Sequence, residues 1–546
     1  MTYLAFALYP IAALALFRCF SFVTAIPASL MMGYLLLPAA FAINPPLLPE
    51  LSKVTMSALV PLVLAIFLAP KAAKPGEPAT DDTVPTVLPG WLPRATWARI
   101  CLALIVLGPV LTALTNRESV TIGAAFMQGL SLFDAANMAQ MALVTTVAIL
   151  IGRRYLATEA GHRSILLALV VAGLLYSLPT LAEVRLSPQI HKFVYGYFQH
   201  SWIQHLRGDG FRPIVFMRHG LVLSLILCLS ALAIIAYMRA IDGDRRVLYF
   251  LGAAYMTAVL FLSKSLGMML VACVLVPVLL FASVRAQLVI AALIVGMVLT
   301  YPAARFVGIN PLMIVAQQAE KIDPTRAASL RYRLDAEDAA LERFSEKPFF
   351  GWGGWGRAEP LDESGGRVAA RDGHWIIYLG QFGMAGHLGV YGLLCLPVLL
   401  LALRRRECAP SAATSGLCIV MAANALDLIP NAGLMPITWL IAGALLGHVE
   451  LGHAGAFVER TPREGVPGAG LKDAIESAGQ PHGRAGRYAR VAPKAVEKQA
   501  PFVARMRAAN RKALEVSAEA EAPTKAPTKT PYSRYAIRHG RKRGAT

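Results

Sequence analysis

Three groups of residues have the types and spacing to do chemistry. Arg207, Arg212 and Arg218, with His219, gather where a polar stretch enters an apolar one. Lys264 stands between Ser263 and Ser265 in an otherwise apolar run. His374 follows a polar segment that also holds Arg331 and Arg333. Guanidinium and ammonium groups converging in this way suit a diphosphate, which guanidinium grips through two parallel N–H bonds. The plainer role is also open, because Arg and Lys near the ends of membrane spans often only reach for the headgroups. Lys264 is the hardest to read that way, since an ionisable group in apolar sequence is costly unless it has a task. No carboxylate pair accompanies the cations, and no His/Asp cluster has metal spacing, so an arginine-held diphosphate is expected in preference to a metal-held one.

These groups must be positioned by membrane helices. The chain has 546 residues, 56% hydrophobic and 16% charged, with mean hydropathy +0.54. A soluble chain carries roughly a quarter charged residues. Apolar blocks fall near 3–17, 22–41, 54–70, 100–115, 137–152, 163–182, 214–238, 247–262, 267–283, 287–304, 386–403, 412–426 and 434–449. That predicts an all-α polytopic bundle of 12 or 13 spans. The N-terminus lacks a basic leader region and reads as a retained helix. The seven cysteines, Cys19, Cys101, Cys228, Cys273, Cys395, Cys408 and Cys418, lie in or beside apolar segments without a CxxC pair. They read as small core residues.

Orientation follows from the short loops. Arg153-Arg154, Arg239 with Arg245-Arg246, Arg285, and Arg404 to Arg406 alternate along the spans and face the cytoplasm together under the positive-inside rule. Two long segments, 183–213 and 305–375, are then expected on the outer face. In the longer one, Leu330, Leu334, Leu341 and Phe344 mark one helix face before Pro348 and the run GWGGWG at 351–356. Trp352 and Trp355 there fit an interfacial belt or a sugar-stacking platform. The expected organisation is a transmembrane domain over 1–450, an outer helical loop over 305–375 within it, and a basic tail over 451–546. The net charge is +19, much of the excess lying beyond Glu459. Such a tail is expected to be a disordered cytoplasmic end with no nucleic-acid partner.

The stretches RLDAEDAALERFSEKPFFGWGGWG (333–356) and GHWIIYLGQFGMAGHLGVYG (373–392) resemble the signature of the O-antigen ligase and polymerase family. GFRPIVFMRHGL (210–221), FLSKSLGMMLV (261–271) and NALDLIPNAGLMPITWLIAGALLG (424–447) resemble further pieces of it in the right order, so that the likeness runs over about 160–450. Lys264 stands where that family usually has Arg, and the helix after Arg333 lacks its common Trp. The resemblance implies a GT-C-like fold and a metal-independent glycosyltransferase with no cofactor, multi-pass in a bacterial inner membrane. It implies a glycan donor on undecaprenyl diphosphate and, on the periplasmic face, an acceptor hydroxyl on lipid A-core (ligase) or on a growing polysaccharide (polymerase). It places Arg212 or Arg218, together with Lys264, at the diphosphate, and His374 at the acceptor or as base; Arg207 and Arg333 are further candidates for binding the diphosphate or substrate. The alternatives are a transporter, for which Lys264 speaks, and a non-catalytic scaffold using the basic tail.

Overall fold

The computed structural model describes residues 1–45, 49–69, 87–207, 210–241, 243, 245–321, 324–368 and 371–455. The tail beyond 455 and most of the 71–99 loop lie outside the described residues.

The chain is a helical bundle, as expected, with three two-stranded hairpins among the described residues. The first helices are α1 (Thr2–Cys19), α2 (Phe22–Leu36), α3 (Lys53–Leu68), α4 (Thr96–Leu114), α5 (Leu132–Thr146), α6 (Ala148–Tyr155) and α7 (Glu159–Leu186). The short α8 (Ile190–Tyr195) leads to α9 (Gly220–Ala240), α10 (Arg246–Leu262), α11 (Leu266–Phe281) and α12 (Val284–Phe306). The outer loop contains α13 (Pro311–Glu320) and α14 (Pro324–Ser345). The chain returns through α15 (His374–Leu403), α16 (Arg405–Cys408), α17 (Ala412–Asp427) and α18 (Pro436–His453).

Each expected span coincides with one or more of these helices. Among the described residues, seven helical segments are long and apolar enough to cross a membrane, and α2, α3, α10, α11 and α17 are shorter apolar helices. Their starts are encoded locally: Ser21, Ser52, Ser131, Ser283 and Ser411 each accept a backbone N–H from the first turn that follows. Three boundaries differ from the hydropathy reading. The 137–152 span is broken between α5 and α6, where Thr145 and Thr146 hydroxyls bond back to carbonyls of the preceding turn, a habit that bends helices. The span placed at 214–238 begins only at Gly220, because the preceding segment is held in irregular form. The piece at 374–383 and the span at 386–403 are one helix, α15, with a break at Gly383.

Burial grades from edge to centre. In α1 only Phe6, Tyr9 and Ala13 are buried, while Tyr3, Leu4, Leu8 and Ile11 are exposed. An apolar outer face of this kind suits lipid. α9, α17 and α18 are covered nearly all round and form the centre. α18 meets α6 backbone to backbone. A Cβ on Gly443 would lie 2.1 Å from the Ile149 carbonyl oxygen, and one on Gly447 would lie 2.6 Å from that of Arg153. This is the small-x-x-x-small packing of membrane helices. At the foot of the contact, Arg153 and Glu450 form a buried ion pair at 2.7 Å, and Glu450 also accepts the Arg94 backbone N–H at 2.6 Å.

The polar contacts sort to two ends. One end carries Arg153, Glu450, the His162–Thr414 and Gln287–Ser415 bonds, and Arg239 capping the carbonyls of Leu279 and Ala282. These belong to the loops expected in the cytoplasm. The other end carries the 183–213 segment, the Ser263–Ser265 break, the 305–375 loop and the 428–435 turn.

Candidate functional site

The irregular segment before α9 is organised by one carboxylate. Glu183, at the end of α7 and 1% exposed, accepts N–H bonds from Ile190 (3.0 Å), Ile214 (2.8 Å) and Val215 (2.7 Å). Val215 has φ +48°, a conformation a β-branched residue adopts only under constraint. Around it, Tyr176 Oη accepts from the Phe216 N–H, Lys53 Nζ donates to the Phe216 carbonyl, and the Gln199 amide donates to the Val215 carbonyl. The cradle presents Arg212, itself buried, and Arg218, which is exposed, on either side of the turn. His219 then caps α9, its Nδ1 accepting the Leu221 N–H.

Arg212 and Lys264 are brought together across 52 residues of sequence. The Arg212 Nη2 donates to the Lys264 carbonyl at 3.2 Å. Lys264 lies in the break between α10 and α11 with φ +57°, and its carbonyl is therefore turned out of helical bonding. The break is pinned to α9 by a Ser224–Ser263 hydroxyl bond of 3.0 Å. The hairpin of Leu206–Arg207 with Gly210–Phe211 closes over the Lys264 ammonium: a Cβ on Gly210 would lie 2.7 Å from Nζ. Arg207 is in this hairpin; its side chain lies outside the described residues. Three imidazoles adjoin it, with ring centroids 4.7 Å (His200–His219), 5.3 Å (His200–His205) and 5.8 Å (His205–His219) apart.

His374 begins α15. Its Nδ1 is 3.1 Å from Tyr391 Oη, its ring stacks on Tyr378, and its backbone N–H donates to the Asn431 carbonyl. Arg333 joins the same corner, donating to the Pro430 carbonyl and pairing with Asp372 at 3.2 Å. Arg331 points elsewhere, pairing with Glu320 of α13. The 428–435 turn ties this corner to the first: a Cβ on Gly433 would touch both Asp427 (3.1 Å) and Leu225 (3.4 Å), and Leu225 is in the second turn of α9. Both clusters thus occupy one end of the bundle.

The loop around them is fixed by three devices that sequence reading misses. Glu337, 7% exposed, receives Trp375 Nε1 and Tyr301 Oη at 3.3 Å each and faces Arg305 at 3.4 Å. Burial pushes its carboxyl up to about 7, with Arg305 opposing the shift. Arg371 pairs with Glu359 at 2.5 Å under Gly380. Lys347 donates to Asn116 Oδ1 at the end of α4 (2.8 Å), and Asn116 donates to the Gly351 carbonyl (2.9 Å). The signal for Glu337 was weak: a glutamate that falls among Leu334, Ala336 and Ala340 on the buried face of α14. The two tryptophans of the glycine-rich run part company. Trp352 is buried beneath Arg343 and Lys347, with ring distances of 3.5 and 4.5 Å, and Trp355 is 58% exposed. Among the described residues no three His, Cys, Asp or Glu side chains are grouped as a metal site needs.

The glycine-rich run completes α15. The break at Gly383 (φ +64°) frees backbone groups that residues 348–353 use. The N–H groups of Trp352 and Gly353 donate to the carbonyls of Gly380 and Gln381, and those of Met384 and Ala385 donate to Pro348 and Phe349. A Cβ on Gly351 would lie 2.6 Å from Gln381 carbonyl atoms, so only glycine permits the approach.

An apolar many-helix bundle with arginines, a lysine and an imidazole at one end defines a multi-pass membrane protein with a polar site. The model of the family described as O-Antigen ligase matches residues 251–395, from α10 through Lys264 and His374 into α15. This match supports an assignment to the O-antigen ligase and polymerase family, whose members are glycosyltransferase-like enzymes. No curated protein matches the chain.

Proposed function

We propose that the chain transfers a glycan from undecaprenyl diphosphate to an acceptor hydroxyl of lipid A-core, on the periplasmic face of a bacterial inner membrane, without a metal. The observation that carries this reading is the Arg212–Lys264 contact, in which the guanidinium donates to the backbone carbonyl of the residue that bears the second cation.

The chemistry follows from these groups. The acceptor hydroxyl oxygen forms a bond to the glycosyl C1 as the C1–oxygen bond to the diphosphate breaks. Negative charge grows on the departing oxygen, and the Arg212 guanidinium and Lys264 ammonium neutralise it; interactions of this class are worth roughly 10²–10³ in rate each. Arg218, exposed beside the turn, adds charge at the site, and Arg333 holds the loop to the 428–435 turn. When His374 Nδ1–H donates to Tyr391 Oη, Nε2 carries the lone pair that takes the hydroxyl proton. One displacement with a departing diphosphate inverts C1.

Alanine at Arg212, Lys264 or His374, each expressed in the host and read out as surface polysaccharide, tests the proposal. Loss of at least about 10²-fold in product is expected from each. Wild-type product from all three refutes the site. Activity lost on treatment with a chelator refutes metal independence. A deletion strain that accumulates lipid-linked polymer supports the ligase. One that makes only single-repeat products supports the repeat-unit polymerase instead.

A further inference from the structure

A groove of 330 Å³ lies beside the His374 corner, between α5, the turn at Gly354 and Trp355, and the first half of α15. We infer that this groove is a saccharide subsite, with Trp355 as the platform on which a pyranose ring stacks. The inference rests on the transferase reading and assigns it a sugar-holding surface apart from the cationic cluster.

Four observations point to this occupant. Trp355 has φ +52° although it is flanked by glycines that would take that conformation without cost. Strain of this kind, on the order of 1–3 kcal/mol, persists where the surroundings enforce it and gathers at ligand sites. The indole is exposed, in contrast to that of Trp352 three residues earlier. The walls then supply neutral hydrogen-bonding groups: the amides of Asn137 and Gln381 and the phenol of Tyr378. None of the ten lining residues is charged, which disfavours a diphosphate or another anion. Flat apolar surface with amides and a phenol suits a sugar, whose ring has apolar C–H faces and hydroxyls around its edge. Last, Tyr378 is shared: one side lines the groove, and its ring stacks on His374 with centroids 5.2 Å apart and 16° between planes. A sugar in the groove is therefore one aromatic ring away from the imidazole. Met138 and Met141 on α5 make part of the wall apolar, but the volume is far too small to enclose an undecaprenyl chain.

The test uses the full chain in lipid nanodiscs and two probes. One is the oligosaccharide released by mild acid from the host's own lipopolysaccharide. The other is undecaprenyl monophosphate, which carries no sugar. Titration calorimetry is expected to show Trp355→Ala weakening the oligosaccharide by about tenfold, Trp355→Phe by only about two- to threefold because a ring remains, and undecaprenyl phosphate unchanged. Asn137→Ala is expected to weaken the oligosaccharide severalfold. Equal oligosaccharide affinity in wild type, Trp355→Ala and Asn137→Ala overturns the inference, as does no binding to wild type. Loss of undecaprenyl phosphate binding in Trp355→Ala also overturns it and assigns the groove to lipid. Failure of the transferase reading is separate. It appears as wild-type transfer in the Arg212, Lys264 and His374 variants, whatever the groove binds.

Discussion

Replacing Glu183 tests whether the cationic cluster is positioned from beneath. The Oε1 atom accepts one backbone N–H, from Ile190, and Oε2 accepts two, from Ile214 and Val215. In Glu183→Gln the remaining oxygen takes the side with two donors, so one buried N–H is orphaned, at a cost of about 1–3 kcal/mol. In Glu183→Ala all three are orphaned, about 3–9 kcal/mol on the same scale, and the left-handed Val215 loses its restraint. The segment then rearranges instead of bearing that cost, and Arg212 leaves the Lys264 carbonyl. The assay has two arms on protein purified in detergent: thermal unfolding, and affinity for undecaprenyl diphosphate. Glu183→Gln is expected to fold with affinity within a few-fold of wild type. Glu183→Ala is expected to lose affinity about as far as Arg212→Ala does. The double variant Glu183→Ala/Arg212→Ala is expected to be no weaker than Arg212→Ala alone, since both remove one interaction. Full additivity in the double variant, or wild-type affinity in Glu183→Ala, refutes the reasoning.

Two further outcomes concern the opposite end and the loop. Arg153→Met or Glu450→Leu alone leaves a buried charge unpaired and is expected to destabilise by about 3–5 kcal/mol, while the double variant recovers most of it. A double variant as unstable as either single one in thermal unfolding counts against this. Glu337 titrates near 7 in the folded chain against an ordinary 4.5. Because its folded value is raised, its contribution to stability is full below pH 4.5 and is lost as pH rises toward 7. Glu337→Gln is expected to flatten that part of the stability profile; an unchanged slope between pH 4.5 and 7 refutes the assignment.

Hydropathy made the bundle legible because an apolar stretch long enough to cross hydrocarbon has few other fates. Alternating arginine loops predicted which polar segments share an end, and the hydrogen bonds sort the same way. Breaks within spans were harder. The division of α5 from α6 depends on two threonines bonding backward, and the late start of α9 depends on Glu183, which reads in sequence as one more charge at a helix end. Arg212 and Lys264 could be named one by one, but their contact is made by a helix break and a hairpin that no local pattern announces. Trp352 and Trp355 show the limit most directly. Two tryptophans in nearly identical local sequence end in opposite environments because Arg343 and Lys347 cover only one of them.

The break at Gly383 bears on the order of assembly. Four backbone hydrogen bonds join residues 348–353 to residues 380–385, so the first half of α15 obtains part of its backbone pairing from chain synthesised before it. In hydrocarbon, open carbonyls and N–H groups are not tolerated. The outer loop therefore serves the later helix as a template already in place when that helix arrives, and the two mature as one cooperative unit. Motion that lifted the glycine-rich run away from α15 would unpair a membrane segment. Substrate entry must then be accommodated elsewhere, with this junction as the fixed point about which other parts move.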